Sequence, residues 1–156
     1  RTKNLEPEPT RASAMTADYN FRNLVLWQRA QDLSLAVIRL TAALPRDRAA
    51  DVIARQLIRS ASSIAANIAE GHGRFYRAAH RNHLSIAKGS ACETDGWLDL
   101  LRRAGYIDAA TETRLHEMCI EIIRMVTAKI LKLEREAEDG HRVSEGGTSY
   151  EAADCE

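Results

Sequence analysis

The stretch Ser62–Arg74, SSIAANIAEGHGR, decides how this chain is read. Ile64 and Ile68 stand four residues apart, with Ala61, Ala65 and Ala69 beside them at the same step, so one helix carries a ridge of small side chains next to a ridge of large ones. Small side chains give up apolar area, and a helix that uses them in series gains something in return: a close neighbouring helix, a ligand or a partner chain. Asn67 is the odd residue. It favours helices weakly and its amide needs partners when buried, so it reads either as a polar group that fixes helix register or as a binding residue. Glu70 opposes the helix dipole near the C-terminus and calls for a cation, for which Arg74 is well placed. Gly71 and Gly73 are expected to take the left-handed conformation that ends a helix. The GHG run has no strand before it and no G-K-[ST] after it, so it does not read as a phosphate loop.

Working outward, apolar residues mark four helices. Leu26, Ala30, Leu33, Val37, Leu40 and Leu44 alternate steps of four and three until Pro45 stops the first helix. The second starts near Asp47 and adds Ile53 and Leu57 to the stripe of the opening stretch. A third, from about Tyr76 to Ala104, carries Leu84, Ala87, Ala91, Leu98 and Leu101, with Gly105 as its cap. Gly89 and Gly96 lie inside it and are expected to mark close approach of another backbone. The fourth, from about Ala109 to Glu136, carries Leu115, Cys119, Ile122, Val126, Ile130 and Leu133. Short connections between such helices predict an all-α, antiparallel up-down-up-down four-helix bundle over residues 21–136. Residues 1–20 contain EPEPT, no apolar periodicity, and Met15, a candidate native start; they read as a disordered segment, as do residues 137–156, an acidic tail.

The 156 residues suffice for one domain, and an aromatic share of only 5% suits packed helices better than a β-sandwich. The 22 basic and 22 acidic residues cancel overall, but not locally. Residues 21–107 hold 13 Lys/Arg against 7 Asp/Glu, whereas residues 134–156 hold 2 against 8. A basic body therefore carries an acidic end; such a body either meets a polyanion or presents solvated charge. Three cysteines without a C-x-x-C pair indicate reduced thiols and a cytoplasmic protein, with Cys92 and Cys119 read as packing residues. No apolar run has the length of a membrane span.

QLIRSASSIAANIAEGHGR, LSIAKGSACETDGWLDLLRRAGYI and, upstream, LVLWQRAQDLSLAVIRL resemble the bacterial four-helix-bundle proteins named for intervening sequences in large-subunit ribosomal RNA genes. The resemblance spans roughly Phe21 to Leu133. Its most specific parts are Gln56, Ser63, Asn67, Ile68, Glu70, Gly71 and Arg74, then Ala87, Gly89, Ser90 and Glu93. It implies a ring-like homo-oligomer, a pentamer by analogy with the related accessory protein of diversity-generating retroelements, Avd, which binds a reverse transcriptase and nucleic acid. One departure stands out: His80 and His83 occupy positions where the family usually has aromatic residues, which makes that site a candidate for pH sensitivity.

Enzymatic chemistry finds little support. Within the bundle residues 21–136 no Glu has a His three residues later, as a di-metal bundle site needs, and H-x-x-H at His80 and His83 lacks an evident third ligand. Ser90 is not on a nucleophile elbow. No enzyme, cofactor or metal is expected. Two functions remain open. In the first, a scaffold binds RNA or DNA through Arg46, Arg48, Arg55, Arg59, Arg74, Arg77, Arg81 and Lys88, possible partner of a reverse transcriptase; in the second, the same bundle only docks other proteins. Asn67, Glu70, Gly71, Gly89, Ser90 and Glu93 are expected to be structural in either. Trp27 and Trp97 fit a core or a subunit contact.

Overall fold

The computed structural model describes residues 20–145, with side chains as far as residue 138. After one 3-10 turn at Phe21–Asn23 come α1 (Val25–Ala42), α2 (Arg48–His72), α3 (Arg77–Arg103) and α4 (Ala109–Glu145). No strand occurs among the described residues. Each helix packs closely on two others, α1 on α2 and α4, and α3 on α2 and α4, while the backbones of the diagonal pairs stay apart. Joined by short loops, they form an antiparallel four-helix bundle.

Local signals explain where the helices begin and end. Asp47 accepts hydrogen bonds from the N–H groups of Ala49 and Ala50, both at 2.9 Å, and Asp108 accepts one from Thr111 at 2.7 Å. These side chains satisfy amides that a first helical turn leaves free. At the end of α3, Gly105 has φ +79°, its N–H reaches the Arg102 carbonyl at 3.0 Å, and Tyr106 N–H reaches the Leu101 carbonyl at 2.9 Å. That is a Schellman closure.

The end of α2 departs from expectation. Gly71 lies within the helix, and Gly73 has φ −75°, so neither glycine takes the left-handed conformation. The chain leaves α2 by a right-handed turn instead. What requires Gly71 is space: a Cβ there would stand 2.9 Å from His83 Cβ on α3. The close approach expected at Gly89 and Gly96 is absent, since a Cβ at either would meet nothing within 4 Å; both point outward from the bundle. The small ridge that matters for intrachain packing is on α2.

α4 runs to Glu145, past the Glu136 at which the apolar stripe fades. Residues 137–145 are therefore helical rather than a separate disordered tail. Ala137 and Glu138 are good helix formers, and extending an existing helix needs no new nucleus. The expectations for residues 1–19 and 146–156 lie outside the described residues.

The core follows the stripes. Leu33 and Val37 meet Leu57, Ala61, Ile64 and Ile68, then Leu84, Leu98 and Leu101, then Leu115, Ile122 and Val126, all buried. Each large side chain among them contributes about 1.5–3 kcal/mol relative to exposure. Cys119 is buried in this core, and desolvation pushes its thiol up to about 12. Cys92 is exposed, contrary to its reading as a packing residue. Trp27 and Trp97 are partly buried against the core.

Candidate functional site

The residues that single out the opening stretch come together along the contact between α2 and α3. Thr94 Oγ1 donates to the Ser90 carbonyl at 2.8 Å and lies 3.0 Å from Ser60 Oγ. Ser90 Oγ meets Ser63 Oγ at 3.0 Å, and Asn67 Nδ2 donates to the Ser63 carbonyl at 2.9 Å and reaches Ser63 Oγ at 3.1 Å. Asn67 Oδ1 can only accept, so His83 Nδ1, 3.3 Å away, carries the proton. His83 Nε2 lies 3.7 Å from Glu70 Oε1, and Glu70 also pairs with Arg74. A continuous polar seam thus runs between two apolar helix faces.

At the other end of this seam Glu93 accepts from Arg59 and, at 3.3 Å, from Trp97 Nε1, while Arg59 Nε donates to Gln56 Oε1 at 3.0 Å. Gln56, Ser63, Asn67, Glu70, Gly71, Arg74, Ser90 and Glu93 therefore share one interface. Gly89 does not; it faces solvent. The polar groups are satisfied within the chain, so this seam fixes how α2 meets α3. His83 belongs to it, and His80 is half-buried beside it. Among the described residues, no three His, Cys, Asp or Glu side chains are grouped to hold a metal ion.

The eight basic candidates do not form one patch. Arg46, Arg48, Arg55 and Arg59 lie toward the start of α2, and Arg74, Arg77 and Arg81 lie beyond or near its far end, separated by up to about 36 Å of helix. Lys88 is half-buried midway along α3. Arg59 pairs with Glu93, Arg74 with Glu70, and Arg81 with Glu134 at 3.4 Å. Arg77 donates to the Glu136 carbonyl at 2.9 Å. Arg46, Arg48, Arg55 and Lys88 have no carboxylate partner among the described residues.

Two features escaped the sequence reading. Phe75 and Tyr76, in the turn between α2 and α3, are 93% and 73% exposed and stack edge to face at 5.3 Å. The signal is present as RFYR, aromatics interleaved with cations, but it adjoins Gly71 and Gly73, residues that also read as a plain chain reversal. His116 on α4 meets Asp95 on α3 at 2.7 Å, a hydrogen bond that raises the His116 pKa. Asp95 and His116 are 21 residues apart, so no local pattern announces them.

The bundle and its seam define a class of small all-helical proteins whose polar residues brace two helices. The model of the family described as 23S rRNA-intervening sequence protein matches residues 22–128, and the chain belongs to that family. A solved structure from Bacteroides thetaiotaomicron VPI-5482, described as a protein with unknown function from the S23 ribosomal protein family, is 30% identical. The similarity covers 68% of this chain and 98% of that one, with a TM-score of 0.65. No curated protein matches. Among the described residues no helix is long and apolar enough to cross a membrane.

Proposed function

We propose that this chain is a non-enzymatic, cytoplasmic scaffold that assembles as a closed homo-oligomer, a pentamer, and binds single-stranded nucleic acid at the turn between α2 and α3. The observation that carries this reading is the exposed Phe75–Tyr76 pair bracketed by Arg74 and Arg77. Aromatic faces stack on unpaired bases irrespective of sequence, and flanking guanidinium groups follow the phosphates. Assembly is supported by the outward stripe of α3, where Ile86 and Leu100 are exposed and Gly89 and Gly96 leave open space between them. A ring would repeat each turn and multiply weak contacts. The attached cellular role is that of an accessory protein to a reverse transcriptase in a diversity-generating retroelement, which a neighbouring reverse-transcriptase gene would support.

A second reading has its own observation. Arg59, Arg74 and Arg81 are already paired with carboxylates, which favours a module that docks proteins alone. Fluorescence anisotropy of a labelled single-stranded RNA separates the two. Nucleic-acid binding requires affinity that falls steeply between about 50 and 200 mM salt and weakens when Arg77, Arg81 and Lys88 are replaced together. Affinity that is absent, or indifferent to salt and to the triple change, supports protein docking.

A further inference from the structure

An open pocket of about 490 Å³ lies where the start of α1, the end of α2, the start of α3 and the later part of α4 meet. Its volume is within the range of small-molecule sites. Ile68 and Leu84 form part of an apolar lining, completed by residues of α1 and α4, and no carboxylate lines it. Four nitrogen-bearing side chains do: His72, His80, Lys129 and Lys132. The pocket is apolar in its walls and cationic at its polar positions.

His72 supplies an independent pointer. Its Nε2 is buried and has no hydrogen-bond partner, alone among the side-chain nitrogens and oxygens of the described residues. Native structures pair nearly all such atoms; this one is closed to water although its side chain lines the pocket, so a small turn of the imidazole would bring it to a bound group. Lys129 makes no ion pair among the described residues, and Lys132 is held only loosely, 3.9 Å from Glu136. Burial first, then the charges of Lys129, His72 and His83, lower the His80 pKa, as expected where the local field is positive. A second copy of the chain is a poor occupant, because lysine is depleted from the centres of protein interfaces.

We propose that this pocket binds a small amphipathic anion, an aliphatic carboxylate whose chain fills the apolar walls and whose head group meets Lys129, Lys132 and His72. The site is independent of the nucleic-acid reading. Its carboxylate accepts from the His72 ring nitrogen and from the lysine ammonium groups, while the chain displaces water from Ile68 and Leu84. Neither the aromatic turn nor the α2–α3 seam takes part.

Isothermal titration of the full chain with sodium decanoate tests the proposal, with decanol as the uncharged control. One decanoate is expected per chain, with decanol bound more weakly. Lys129→Gln with Lys132→Gln should weaken decanoate by about tenfold while leaving decanol unchanged, since the substitution removes only the charge interaction. Ala128 lines the pocket and is exposed, so Ala128→Phe should fill the space, keep the helical circular dichroism spectrum and abolish both ligands. A histidine nitrogen spectrum should show the His72 Nε2 resonance moving on addition of decanoate. Absence of heat and of any His72 shift at millimolar decanoate would overturn the proposal. So would decanoate binding that survives Ala128→Phe, or a change in molar mass when the pocket is filled, which would assign it to contacts between copies.

Discussion

Asn67 sits where a single amide holds two helices in register, donating to Ser63 on its own helix and accepting from His83 on the next. Replacing it by Leu removes the acceptor that His83 faces and leaves a half-buried donor unpaired, at a cost of about 1–3 kcal/mol. Urea unfolding of Asn67→Leu should show that loss with an unchanged slope; a midpoint equal to that of the parent protein would remove Asn67 from the structural account. His116 gives a test of the opposite kind, by pH. Its pKa is raised in the folded protein by the Asp95 hydrogen bond. A raised pKa means that the pairing contributes below the unfolded value near 6.5 and fades as pH rises through the higher folded value. The pair is partly exposed, so the effect is on the order of a few tenths of a kcal/mol. His116→Gln should therefore lower the urea midpoint at pH 5.5 and make little difference at pH 8.5; an equal loss at both would assign the contact to packing alone.

Glycines separate three roles among the helices. Gly105→Ala forces an alanine into φ +79° and should cost about 1 kcal/mol in thermal or urea unfolding. Gly71→Ala drives a methyl group against His83 and should cost about 1–3 kcal/mol by separating α2 from α3. Gly89→Ala meets nothing within the chain and should raise helix stability by about 0.5–1 kcal/mol, whereas it should weaken assembly if α3 packs on another copy. Light scattering beside unfolding data distinguishes these outcomes. The sequence revealed the helices and core well, because Leu33, Ile64, Leu84 and Ile122 repeat with helical spacing and each repeat is local. It misjudged Gly71 and Gly89 because a glycine's neighbours are set by tertiary packing, and the extension of α4 because helix propagation outlasts the apolar stripe. The seam was legible as individual residues, Asn67, Glu70 and Glu93, but not as a connected network: Ser63 meets Ser90 only after two helices have folded against each other. The decanoate pocket left no local pattern at all, since its lining comes from all four helices.

At the scale of the whole molecule, a bundle whose α2–α3 seam is satisfied within the chain carries an outward α3 stripe and an exposed aromatic turn. The parts differ in what they can lose. Seam substitutions should lower stability first, stripe substitutions should lower assembly first, and loss of Phe75 and Tyr76 should leave both intact while removing contacts worth about 1–3 kcal/mol per stacked base. Sedimentation velocity with a fluorescent single-stranded RNA reads assembly and binding in one boundary. The central claim, a ring that holds nucleic acid at its turns, predicts RNA moving with a species about five times the 17.4 kDa chain, and the same protein species without RNA after Phe75→Ala with Tyr76→Ala. A 17.4 kDa species that sediments apart from the RNA would contradict it.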